Sequence, residues 1–361
     1  MAGQHIADWG HRARQVQDAM WGAGRHPQGR ADRHPLLPPR RRPNLLSRHR
    51  SLAVNEQAMG IHMNQNKSPH ATEPTRASWT RMSSYFSDSP DAGNIDRTAA
   101  RTLLGVSPEV GYLFRAEQGF AERAVRFLTH HVGVRQIVIA GAGMPDRQAF
   151  VPILRSCGLD APTLVFVEPD VALAARYRTY ATTADPDMIH VVDVDPLHAH
   201  MLWPTIARDV PLEPAEPVGF LLIGHVSLFP GDREHAAAAV RDHIGYLPAG
   251  SFIGLTHLLD PHTPSWRATV QQLGDALRRP PLFGGGCATR TELNAMLAGT
   301  QIISSGAEVV EPGFVPCHQW WPSGPPLPVP EIARLDVCAL AHIPFHTPAP
   351  PHEKEGTADV A

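Results

Sequence analysis

A short apolar strand that runs without a break into a Gly-x-Gly turn is the tightest constraint in this sequence. Gln136-Ile-Val-Ile-Ala140 is uncharged and mostly β-branched, so it reads as a strand buried on both faces. Gly141, Ala142 and Gly143 follow at once, with Pro145 close behind. Glycines there permit a tight turn and let backbone N–H groups approach a ligand with no Cβ in the way. The third glycine of the dinucleotide fingerprint would fall at position 146, which is Asp146, so the turn alone does not choose a ligand.

The sequel narrows the choice. Leu164-Val-Phe-Val-Glu-Pro-Asp170 is a second apolar strand tipped by a carboxylate. In open α/β sheets an acid at the tip of strand two accepts hydrogen bonds from ribose hydroxyls. Glu168 is therefore a candidate ribose ligand; the plainer reading is a strand ended by any polar residue. A glycine turn followed by an acid-tipped strand suits either a nicotinamide dinucleotide or S-adenosylmethionine.

Strands and helices then alternate. Expected strands are 136–140, 163–168, 188–195, 218–225 and 251–257, with helices near 147–156, 170–182, 236–247 and 264–279 and another through Met201 and Trp203. Asp232 and Thr289 are placed to cap helices. Continuous apolar strands separated by helices imply a parallel sheet covered on both faces. Two short strands, Ser305–Val310 and Gly313–Cys317, separated by Glu311-Pro312, predict an antiparallel hairpin at the edge of that sheet. Such an ending fits a methyltransferase better than a nicotinamide dehydrogenase, whose sheet stays parallel.

Charge and composition set the outer limits. The net charge of the 361 residues is −3, yet residues 1–50 hold ten arginines against Asp8, Asp18 and Asp32. The remainder is acidic, which argues against a nucleic-acid partner. Residues 1–75 are expected to be a disordered basic Pro/Arg-rich extension. It reads either as a non-native stretch with translation starting near Met59 or Met63, or as a basic tether or transit peptide. Residues 76–132 are expected to be helical and to cover the ligand, and 133–322 to form the sheet domain. Residues 323–361 read as a Pro-rich tail, with a short helix around Ile332 to Leu340. Four cysteines without a Cys-x-x-Cys pair, and no apolar run of about 18 residues, point to a cytoplasmic protein outside the membrane. Cys338, His342 and His346 have helical spacing, but Pro344 breaks that helix, so no metal site is expected. The sequence carries no reading of oligomeric state.

The marks in this order resemble a bacterial S-adenosyl methyltransferase family of class I Rossmann architecture whose members mostly lack an assigned substrate. They are Gly141-Ala-Gly-Met-Pro145, Val165-Phe-Val-Glu-Pro-Asp170, Pro248-Ala-Gly-Ser-Phe-Ile-Gly-Leu-Thr-His257 and Val310-Glu-Pro-Gly-Phe-Val-Pro316 with Trp320 and Pro322. The resemblance implies a Rossmann-like three-layer α/β sandwich around a mostly parallel seven-stranded sheet. It also implies S-adenosylmethionine as cofactor, with Gly141, Ala142 and Gly143 at its methionine and ribose end and Glu168 on the ribose hydroxyls. Asp195 would accept from the adenine amino group, with Asp193 as competitor and a helix cap before His198 as the plainer role. Three family features are missing: the acid of the first strand, whose place is taken by Val138-Ile-Ala140, an upstream Gly-Gly-Lys, and a histidine at Ser227-Leu-Phe229.

For acceptor chemistry the candidates are His225 and His257, at the carboxyl ends of strands four and five, where ligands sit and where a neutral imidazole can act as a base. The leading expectation is a methyltransferase acting on a small-molecule substrate. A catalytically silent or regulatory binder of the cofactor, and then a nicotinamide oxidoreductase, are the alternatives.

Overall fold

The computed structural model describes residues 76–87, 92–145, 147–305, 313–321 and 328–345. Three helices precede the sheet. The first, α1 (Trp79–Tyr85), begins at Ser78, whose hydroxyl accepts from the Arg81 N–H. In α2 (Asn94–Leu104) the Asp96 carboxylate reaches back to the Gly93 N–H. The third, α3 (Gly111–Arg126), continues through a wide turn to Val132 and stops at Gly133, whose φ of +87° suits glycine.

The parallel half of the sheet follows the apolar runs. Its strands are β1 (Gln136–Ala140), β2 (Thr163–Val167), β3 (Ile189–Val192), β4 (Val218–Leu222) and β5 (Phe252–Leu258). The crossovers are α4 (Phe150–Ser156), α5 (Val171–Ala184), α6 (Ala199–Asp209) and α7 (Arg233–Tyr246). Every residue of β1, β4 and β5 is buried, as continuous apolar strands require. Asp232 caps α7 through the His235 N–H. After β5 come α8 (Arg267–Arg278) and α9 (Arg290–Met296), and Thr289 and Glu292 close a capping box on α9.

The antiparallel ending is present; one of its strands falls within the expected 313–317, and the other two lie outside the expected hairpin. The three are β6 (Gln301–Ile302), β7 (Val315–Pro316) and β8 (Asp336–His342). Strand order is β3-β2-β1-β4-β5-β8-β6, with β7 also on β8. Instead of a helix around Ile332 to Leu340, a 3₁₀ turn at Glu331–Leu335 leads into β8, which pairs with β5 along seven residues. An apolar run this short does not distinguish helix from strand, and the open edge of β5 decides it. Val315–Pro316 pairs with Cys338 and Val337, and the rest of the expected hairpin, 306–312, lies outside the described residues.

Side chains alternate between two cores. Val138, Val165, Phe220, Leu255 and Val337 pack under α6, α7 and α9. On the other face Phe166 meets Tyr177 of α5 at 4.6 Å and Phe150 of α4 at 6.4 Å between ring centres. Leu258 packs there with residues of α1, α2, α3 and α8.

Candidate functional site

Strand order reverses between β1 and β4, so the loops at their carboxyl ends face one another across the crevice where open α/β sheets hold ligands. Gly141 has φ +79°, and a Cβ there would lie 2.0 Å from the Ile223 carbonyl oxygen. Only glycine lets the two loops close on each other. Gly143, also at φ +79°, faces the Gln118 side chain, and its carbonyl accepts from the Tyr177 hydroxyl. Ala142 is buried between them.

Helix α1 lies over this edge. Its Trp79 ring occupies the space that a Cβ on Gly224, after β4, would need. Arg81 ties the helix down: its guanidinium donates to Asp96 at 2.8 Å and also to Asp170 at the start of α5. Beneath it Glu168, one residue past β2, is 2% exposed. One of its carboxyl oxygens accepts from the Asp170 N–H at 3.0 Å. Burial outweighs that bond and lifts the carboxyl from 4.5 to about 7. The buried Thr80 hydroxyl, on α1, faces the same carboxyl and also works against that rise.

The two aspartates after β3 are both half exposed. Asp193 pairs with Arg178 of α5 at 3.2 Å. Asp195 accepts from the Leu197 N–H at 2.9 Å and faces His198 at 3.2 Å, so it closes a turn ahead of α6 instead of capping the helix, whose N-cap is His198. Its charge also acts on His225.

The two histidines part company. His225 packs against Gly141, its Nε2 is buried without a partner, and desolvation lowers it to about 4, so it is neutral at pH 7. His257 has both nitrogens engaged, with the Leu258 carbonyl at 2.8 Å and with Arg233 at 3.1 Å. It points to the α7 face, away from the crevice roof, because alternation along β5 sends its neighbour Thr256 to the other side. His257 is thus held as a structural group without a free nitrogen.

Thr256 belongs to a buried network that the sequence did not announce. Its hydroxyl donates to Glu117 of α3 at 2.7 Å and accepts from the Gly224 N–H at 2.8 Å. The other Glu117 oxygen accepts from the Trp79 indole at 2.6 Å. Burial raises Glu117 to about 7, and these two bonds pull the other way. Asp336 opens β8 on the same face, fully buried, with only the Cys317 thiol near it as a donor. A signal for Glu117 exists: it sits on the apolar stripe of α3, three residues from both Phe114 and Phe120.

Together the reversal of strand order, the glycine turn and the buried acid define a Rossmann-like fold of the type that holds a nucleoside cofactor at its switch point. The chain belongs to the S-adenosyl methyltransferase family, whose sequence model matches residues 65–344. A protein from Thermobifida fusca YX assigned provisionally as a methyltransferase is similar to it in structure. The TM-score is 0.64 at 20% identity, covering 76% of this chain and 97% of that one. A DUF574 family protein from Streptomyces avermitilis MA-4680 gives 0.61 at 21%, covering 74% and 98%. No curated protein matches the chain. The protein is a methyltransferase that uses S-adenosylmethionine. Among the described residues no helix is long and apolar enough to cross a membrane.

Proposed function

We propose that this methyltransferase acts on a small-molecule acceptor, with the cofactor lying across the Gly141–Gly143 turn and its ribose against Glu168. The buried carboxyl of Glu168, beside the Thr80 hydroxyl and close to a positive-φ glycine turn at the point where strand order reverses, is the observation that carries this reading. These residues fit the cofactor: one buried acceptor for a ribose diol, a hydroxyl beside it, and a glycine turn at the switch point. Asp195 is assigned to the adenine in preference to Asp193, because its charge reaches His225 at the switch point.

When bound, the cofactor supplies an electrophilic methyl group on a sulfonium. The chain's task is to hold donor and acceptor in line and to keep water out. The roof of α1 and α3 serves the second need, since Gly141 to Pro145 are all buried. His225, neutral and with one nitrogen unengaged, is suited to hydrogen-bond the acceptor at the end of β4. A cytoplasmic location agrees with four free cysteines, none in a disulfide.

Calorimetry with S-adenosylhomocysteine, S-adenosylmethionine and NAD tests the site. Heat with the first two and none with NAD is expected. Glu168→Ala should weaken S-adenosylhomocysteine by about 1–3 kcal/mol, the size of a lost charged hydrogen bond. An unchanged affinity removes Glu168 from the site.

A further inference from the structure

Past the cofactor half, the carboxyl ends of β4 and β5 lie beside the amino end of β8 beneath α3. Two acids are buried there, Glu117 at 3% exposure and Asp336 at 0%. The register places them together. Thr256, which bonds Glu117, is opposite Cys338, and Asp336 is two residues from Cys338, so all three side chains share the α3 face. Glu117 is satisfied by Thr256 and Trp79. Asp336 is not: no N–H or O–H donor reaches either of its oxygens. Its polar neighbours are the thiol of Cys317, a poor donor, and the charge of Glu117.

Among the described residues neither acid is paired with a cation. Arg123, on the same helix as Glu117, donates instead to the carbonyl oxygens of Trp320 at 2.7 Å and Cys317 at 2.6 Å. A buried carboxyl left with no more than a thiol as donor is costly and is uncommon unless a ligand completes it. What would complete this one is a group that brings both N–H donors and positive charge.

Resting on the cofactor reading above, we propose that Glu117 and Asp336 form the acceptor subsite and that the acceptor is an amine, bound as its ammonium against Asp336. The ammonium gives one proton to the carboxyl pair, which frees the nitrogen lone pair. The N–CH3 bond then forms as the S–CH3 bond breaks, and sulfur keeps the electron pair of the broken bond. The pair suits the proton better than His225 does. Burial raises both carboxyls, Glu117 to about 7, and the charge of Glu117 lifts Asp336 further, whereas His225 falls to about 4, and a base works best near the operating pH.

The test uses the full chain saturated with S-adenosylhomocysteine. Thermal denaturation is followed with 2-phenylethylamine and hexylamine, and with 2-phenylethanol and hexanol as matched alcohols. The amines should raise the melting temperature and the alcohols should not. Asp336→Asn should abolish that response without lowering the melting temperature of the protein alone, and should change S-adenosylhomocysteine affinity by less than about twofold. Asp336→Glu should restore part of the amine response. With methyl-labelled S-adenosylmethionine, label should pass to the amines that bind, and Asp336→Asn should lower that rate by about 100-fold or more, in the range of a lost acid–base group. Equal responses to amines and alcohols, no response to either, or a destabilised Asp336→Asn with amine binding intact would each overturn the proposal and leave the cofactor reading standing. Silence toward S-adenosylhomocysteine would overturn both.

Discussion

The Trp79 indole N–H donates to Glu117 at 2.6 Å while its ring fills the place that a side chain on Gly224 would take. One residue of α1 therefore joins the roof to α3 and to the β4 loop at once. The same helix is tied to Asp96 and Asp170 through Arg81, so the lining of the crevice is held from both ends.

Trp79 separates shape from hydrogen bonding. Trp79→Phe keeps a ring over Gly224 but leaves Glu117 one donor short, at a cost of about 1–3 kcal/mol. Trp79→Ala adds a cavity and should cost about 3–5 kcal/mol. Urea denaturation of the two variants checks the difference.

The two turn glycines should answer differently to alanine. At Gly141 the new Cβ meets a backbone carbonyl at 2.0 Å, and the strand ends must part to accept it. At Gly143 the obstacle is the end of the Gln118 side chain, which can swing away, so only the cost of positive φ remains, roughly 1–2 kcal/mol. Gly141→Ala is expected to yield little folded protein by circular dichroism, and Gly143→Ala to melt cooperatively a few degrees low.

Glu168 imposes a pH dependence whose sign follows from its raised carboxyl. Between its ordinary 4.5 and about 7 the folded chain binds more protons than the unfolded chain, so stability falls as pH rises through that window and is level above it. The contribution is at most about 3 kcal/mol. Glu168→Gln removes it, so the melting temperature of the variant should gain on wild type from pH 5 to pH 8. A constant gap between the two would mean that the carboxyl ionises normally.

Burial keeps His225 and His257 neutral, the first down to about pH 4 and the second to about pH 3. With imidazole-labelled protein, neither ring should titrate between pH 5 and pH 8 in NMR spectra. A midpoint near 6.5 for His225 would show its ring to be solvated.

The parallel strands could be read from the chain because a strand buried on both faces carries the evidence in its own composition: Ile137, Val138 and Ile139 need no neighbour to be recognised. Strand β8 could not. Asp336-Val-Cys-Ala-Leu-Ala-His342 is as good a helix as a strand until β5 lies beside it. The site divides in the same way. Gly141, Gly143 and Glu168 are local signals at strand ends. Glu117, Thr256 and Asp336 come from three separate elements, and each alone is an ordinary residue. His257 was attractive because it ends an apolar strand, and only the alternation set by Thr256 shows that it turns to Arg233.

Strand β8 has a bearing on how the protein is made. It is translated long after β5, yet it sits between β5 and β6. A nascent chain halted short of Asp336 would expose the full length of β5 as an unpaired edge, a template for association with other chains. Completion of the sheet must therefore wait until nearly the last described residues have left the ribosome.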